Sequence, residues 1–263
     1  MPRFAANLSM LFTEVPLIER CTAARQAGFG AVECQLPYAC DKQSWAATLK
    51  ANALPMVLFN LPAGNWDGGE RGIGCLPDRV DEFRAGVARA IEYAQALNCP
   101  RLNCLAGIRP ASLSAAQAEA TLIDNLRYAA HELGRAGLTL LIEPINTFDI
   151  PGFFLTTTRQ ARALIDKVGA ANLKIQYDIY HAQRMEGELA NTLRDNFNHI
   201  GHIQLADNPG RNEPGSGEIN FDFLLPYIDR LGYRGHIGAE YKPASKTVDG
   251  LSWMQRYPSG EQQ

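Results

Sequence analysis

Short apolar runs rich in β-branched and aromatic residues recur along the chain, separated by longer stretches in which apolar positions step by three and four. The runs predict strands at Phe4–Phe12, Ala31–Leu36, Met56–Leu61, Arg101–Ala106, Leu138–Ile145, Leu173–Tyr180, Ile200–Ala206 and Ile237–Tyr241. Between them, Val80, Phe83, Val87, Ile91 and Ala94 share one helical face, as do Leu122, Leu126, Ala129 and Leu133. Predicted strand starts lie 25–45 residues apart, enough for a crossover helix and a return to a parallel strand. Eight such units close a barrel, so residues 1–263 are expected to form a single α/β domain of the (β/α)8 (TIM) type. Gly28 and Gly232 punctuate the helix-to-strand turns expected at the bottom of that barrel.

Composition narrows the class. Hydrophobic residues make up 46% and charged residues 20%, as in an ordinary globular protein. The net charge of −3 gives no electrostatic footprint for a phosphate backbone, so no nucleic-acid partner is expected. Six cysteines occur without a C-x-x-C pair, which points to reduced thiols. The apolar N-terminus is broken by Asn7 and Ser9 and runs into Glu14, reading as a strand and not a signal peptide. No run of 18 apolar residues occurs, so no membrane partner is expected and a cytoplasmic location is. Self-association is left open.

The long loop after the third strand holds Trp66, Gly69, Arg71, Gly72 and Gly74. Its glycines lack the spacing and the strand-to-helix context of a dinucleotide fingerprint, and no phosphate loop or G-x-S-x-G pattern occurs; no nucleotide cofactor is expected. Trp66 is read as loop packing, with a cover over the barrel mouth as the alternative.

In such barrels catalysis sits at the C-terminal strand ends. Strand five ends in Glu143, strand six in Asp178 with His181 three residues on, strand seven carries His202 and Gln204 on one face, and strand eight ends in Glu240. Any one of these alone is as readily a helix cap or an ion-pair partner. Three carboxylates around one mouth, however, repel one another and need protons or a cation to be buried together. Oxygen donors of this kind favour a hard divalent ion, Mg²⁺ or Mn²⁺, over zinc.

The pattern Glu143, Asp178-x-x-His181, Gln204 and Glu240, with Arg211-Asn212-Glu213-Pro214-Gly215 after strand seven, resembles the xylose-isomerase-like sugar isomerases and epimerases. Within that group, Arg3-Phe4-Ala5-Ala6-Asn7, Gly69-Glu70-Arg71-Gly72-Ile73, Ile142-Glu143-Pro144-Ile145-Asn146, Tyr177-Asp178-Ile179-Tyr180-His181 and Glu240-Tyr241-Lys242-Pro243 resemble the hydroxypyruvate isomerase family, from first strand to last. The resemblance implies interconversion of hydroxypyruvate and tartronate semialdehyde through an enediolate, with catalytic glutamates at Glu143 and Glu240. It also implies a metal set of Glu143, Asp178, Gln204 and Glu240. Gln204 departs from the wider ketose-epimerase pattern, where a histidine is usual, and its neutral amide makes a weaker ligand for a hard ion. His202, on the same face, would substitute only in a different strand register. A small hydroxy or oxo acid needs a carboxylate clamp, for which Arg71 and Arg211 are the candidates at the rim; His181 is a candidate to orient a substrate hydroxyl or shuttle a proton. A 2-oxo-tetronate isomerase or a ketose 3-epimerase using the same glutamate pair is the alternative. A metal-dependent endonuclease on the same barrel would want more histidines than the five present and a basic groove.

Overall fold

All eight expected strands are present in the computed structural model, which describes residues 2–257. They are β1 (Arg3–Asn7), β2 (Ala31–Cys34), β3 (Met56–Asn60), β4 (Arg101–Cys104), β5 (Thr139–Ile142), β6 (Leu173–Asp178), β7 (Ile200–Leu205) and β8 (His236–Ala239). They pair in parallel and in chain order, and β8 pairs with β1 to close the barrel. Each strand stops before its expected C-terminal end. The apolar runs continue past the last ladder bond, but there the chain bends over the mouth: after β1, Leu11 donates its N–H back to the Asn7 carbonyl (2.8 Å), and Leu8, Leu11 and Phe12 stay buried in the turn.

The helices α1 (Arg20–Gln26), α2 (Lys42–Ala51), α3 (Val80–Leu97), α4 (Ala115–Arg135), α5 (Thr158–Val168), α6 (Ile179–Met185), α7 (Leu189–Asn196) and α8 (Phe221–Arg230) fill the crossovers, two of them between β6 and β7. A 3-10 segment, Thr247–Arg256, follows β8 where a last α-helix would stand. Local chemistry fixes the starts. Asp41 caps α2 by accepting from the Gln43 and Ser44 amides, and Ser114 with Gln117 forms a capping box on α4. The expected helical faces of α3 and α4 bury Phe83, Val87 and Ala94, and Leu122, Leu126, Ala129 and Leu133. Burying one such leucine contributes about 1.5–3 kcal/mol.

Register places the chemistry in one layer. Asn7 aligns with Glu33, Asn60 with Asn103, Asp178 with Gln204, and Gln204 with Gly238. The long loop after β3 is fastened to the neighbouring loop after β4. Cys75 donates to the Ala106 carbonyl (2.8 Å), and Gly72, at φ +106°, lies so close that a Cβ there would sit 2.4 Å from the Leu105 carbonyl oxygen. Among the described residues no helix is long and apolar enough to cross a membrane.

Candidate active site

At the C-terminal mouth lies a cavity of about 310 Å³ whose lining includes Arg71, Glu143, His181, Gln204, Arg211 and Glu240. The two glutamates expected to face one ligand therefore open onto the same space. Asp178 adjoins it through contacts to His181 and Arg211.

Asp178 serves two elements at once. As the last residue of β6 it caps α6, its Oδ1 accepting from the Tyr180 (2.7 Å) and His181 (3.3 Å) amides. That bond orients Oδ2 toward the His181 Nε2, 3.7 Å away. Glu143, one residue beyond β5, accepts at Oε2 from the Asn103 amide nitrogen (3.0 Å), which also donates to Asn60 Oδ1 (3.1 Å). Its Oε1 lies 3.9 Å from His181 Nε2. Glu240, one residue beyond β8, accepts from Gln35 at Oε1 and faces Arg211 with Oε2 at 3.7 Å.

Gln204 is held from below. Its Nε2 donates to Glu33 Oε1 (2.7 Å) and its Oε1 accepts from Gln176 Nε2 (2.5 Å). Glu33 also accepts from Asn7 (3.0 Å) and faces His202 Nε2 at 2.7 Å. His202 is thus engaged in the layer beneath the cavity, and the strand register keeps Gln204 at the position expected of it. Glycine at 238 makes room for this carboxylate, since a Cβ there would lie 2.4 Å from both Glu33 oxygens.

Arg211 sits among the carboxylates. It lines the cavity half-buried, within 4.0 Å of Glu240, Asp178 and Asp149. The protein thereby supplies part of the cation that clustered carboxylates require. Its loop is organised by Asp207, whose side chain accepts the amide hydrogens of Asn208, Gly215, Gly217 and Ile219. Arg71 also lines the cavity: its guanidinium stacks on Trp66 at 4.2 Å and donates to the Trp66 and Glu70 carbonyls. Trp66 packs on the core and lines the cavity.

Burial dominates the protonation of this cluster. It pushes the Glu143 carboxyl well above the ordinary range, and the Glu240 and Asp178 charges add to it while Arg211 opposes. Burial likewise raises Glu240 to about 8 against the pull of Arg211, with Asp178 adding to the rise. Asp178 is raised by burial and restrained by Arg211 and its capping bonds. His181 is driven well below the usual histidine range by burial and by Arg211 and Arg184.

Donor atoms of Glu143, Asp178 and His181 lie within 4.8 Å of one another. Among the described residues, Glu143 Oε1 and Asp178 Oδ2 have no hydrogen-bond partner although both are buried. Two unpartnered buried carboxylate oxygens are what a hard divalent ion would satisfy, so the residues present fit one. Sequence reasoning did not single out Asn7, Glu33, Asn60 and Asn103, whose signal was a polar residue near the end of an apolar strand, read only on strands five to eight; nor did it single out Gln176, two residues before Asp178 on strand six.

The chain belongs to the xylose isomerase-like TIM barrel family, which matches residues 21–257. It is 56% identical over 257 residues to hydroxypyruvate isomerase of Escherichia coli (strain K12), covering 98% of this chain and 100% of that one. It is 46% identical over 257 residues to 2-oxo-tetronate isomerase of Cupriavidus necator, covering 98% and 99%. The crystal structure of AP endonuclease, family 2 from Brucella melitensis superimposes with a TM-score of 0.96 at 43% identity, over 98% of this chain and 100% of that one.

Proposed function

We propose that this protein interconverts hydroxypyruvate and tartronate semialdehyde by proton transfer through an enediolate. The observation that carries the reading is a pair of buried glutamates, Glu143 and Glu240, opening onto one small cavity with a half-buried guanidinium beside them. The similarity to hydroxypyruvate isomerase over nearly the whole chain supports it.

Isomerisation removes a proton from the hydroxymethyl carbon, leaving negative charge on oxygen in the enediolate, passes the hydroxyl proton from the former alcohol oxygen to the former carbonyl oxygen, and returns a proton to the neighbouring, former carbonyl carbon. Carboxyls whose hold on a proton is strengthened by burial are suited to take and give that proton in turn. Glu143 and Glu240 are assigned these roles as a pair, because neighbouring carboxyls titrate together. Arg211, held by Glu240 and Asp178, turns a fixed positive charge toward the oxygen where charge develops. Arg71, stacked on Trp66, is assigned to the substrate carboxylate at the rim. His181 is assigned to a substrate oxygen. Glu143, Asp178, Glu240 and the Gln204 amide oxygen would hold the divalent ion, Mg²⁺ or Mn²⁺, which when bound supplies Lewis-acid stabilisation of charge on oxygen.

A second reading, turnover of a four-carbon 2-oxo-tetronate, is favoured by relatives of that name at 46% and 43% identity. Parallel kcat/KM measurements on the two substrates decide between them. A clear preference for hydroxypyruvate is expected; a preference for the four-carbon acid would reassign the substrate and keep the chemistry, and turnover of neither would overturn the isomerase reading.

A further inference from the structure

His181 lies among candidate metal ligands, yet its own hydrogen bonds decide whether it has a lone pair to give. The deciding residue is Asn146, on the loop after β5, which is wholly buried. Its Oδ1 accepts from the backbone amides of Phe148 (3.0 Å) and Asp149 (2.9 Å). Its Nδ2 lies 3.1 Å from the Asp149 carboxylate and 2.7 Å from His181 Nδ1. Turning the amide over would set its N–H groups against two backbone N–H groups and its oxygen against a carboxylate, so the orientation is fixed by contacts that do not involve the histidine.

An amide nitrogen only donates, so His181 Nδ1 must accept. A ring that accepts at Nδ1 is neutral and carries its hydrogen on Nε2, the nitrogen facing Glu143 Oε1 and Asp178 Oδ2 at 3.9 and 3.7 Å. The Arg211 Nη2 stands 3.5 Å from the same Nε2; that approach is at the limit of a hydrogen bond and is weaker than the 2.7 Å contact on the other side of the ring.

We propose that Asn146 is a positioning residue that locks His181 as the Nε2–H tautomer, making the imidazole a neutral hydrogen-bond donor into the cavity and neither a metal ligand nor a base. Resting on the isomerase reading above, the oxygen that receives this bond is the one that gains charge in the enediolate, and the proton stays on Nε2 throughout. The metal set is then composed of oxygen atoms alone.

Nitrogen-15 NMR of the intact, histidine-labelled protein tests this directly, with the His181 signals assigned by their loss in His181→Gln. The expected result is a protonated, pyrrole-like Nε2 and a pyridine-like Nδ1, unchanged when Mg²⁺ is added. A proton on Nδ1, or an Nε2 resonance that moves to a metal-bound position, would overturn the proposal. In Asn146→Asp an oxygen faces Nδ1 and draws the proton there, so the two nitrogen signals should exchange character. On hydroxypyruvate, kcat should fall about 10- to 100-fold with little change in KM. Exchanged signals with unchanged kcat would refute the donor role, and unexchanged signals would refute control by Asn146. If the wild-type protein does not turn over hydroxypyruvate, the isomerase reading falls by itself while the NMR result still decides the tautomer.

Discussion

Gly238→Ala places a methyl group where the structure has no room for one. The added Cβ would lie 2.4 Å from both oxygens of Glu33 and 2.6 Å from its Cδ, so one or the other has to move by roughly 1 Å to reach an ordinary carbon–oxygen separation. Glu33 is held by Asn7 at 3.0 Å, Gln204 at 2.7 Å and His202 at 2.7 Å, and a shift of that size stretches these bonds beyond useful length. Overpacking costs about 1–3 kcal/mol, and weakening the bonds of a buried carboxylate adds about 1–3 kcal/mol more. In a domain of this size a loss of about 2–6 kcal/mol lowers Tm by roughly 4–24 °C. Because Gln204 is one of the three partners, kcat/KM should fall as well. Scanning calorimetry with a parallel turnover assay measures both effects. In a Glu33→Ala background the same Gly238→Ala change should cost almost nothing, since the colliding atoms are gone. A Tm within about 2 °C of wild type, or an equal loss in the Glu33→Ala background, would refute the steric reasoning.

Arg71→Met keeps apolar contact with Trp66 and removes the charge, so KM for hydroxypyruvate should rise about tenfold or more with kcat little changed; an unchanged KM would take Arg71 out of the clamp. Chelation should lower turnover, and Mg²⁺ or Mn²⁺ should restore it; an unaffected rate would leave the glutamates to work with Arg211 and hydrogen-bond donors alone. Burial, with Arg3, His202 and Arg101 nearby, lowers His236 from 6.5 to about 4. Between those values the unfolded chain binds a proton that the folded one does not, so this contribution is fully present above pH 6.5 and is lost as pH falls toward 4. Denaturation at pH 7 and pH 5 should show a loss of about 1 kcal/mol that is absent in His236→Gln, after discounting for partial exposure; an identical pH dependence in both proteins would contradict the assignment.

Much of the barrel was legible because its strands are buried on both sides and read as continuous apolar runs. The ends were not, since Leu8, Leu11 and Phe12 are as apolar as the strand before them and only the turn bond to Asn7 takes them out of it. Glu143, Asp178, Gln204 and Glu240 stood out as polar interruptions. Asn7, Glu33, Asn60 and Asn103 interrupt strands one to four in the same way, and only the closed register shows that Asn103 and Asn60 support Glu143 while Asn7 and Glu33 support Gln204. The position of Arg211 was out of reach of periodicity, because it depends on a loop wrapped around the Asp207 carboxylate.

The central claim is that Glu143 and Glu240 move a proton on a small 2-oxo acid. Its most direct test is the rate of hydroxypyruvate conversion by wild type, Glu143→Gln and Glu240→Gln, each shown by circular dichroism to be folded. The account predicts measurable wild-type turnover and a fall of at least about 100-fold in kcat for each variant. Turnover by either variant close to the wild-type rate would contradict it.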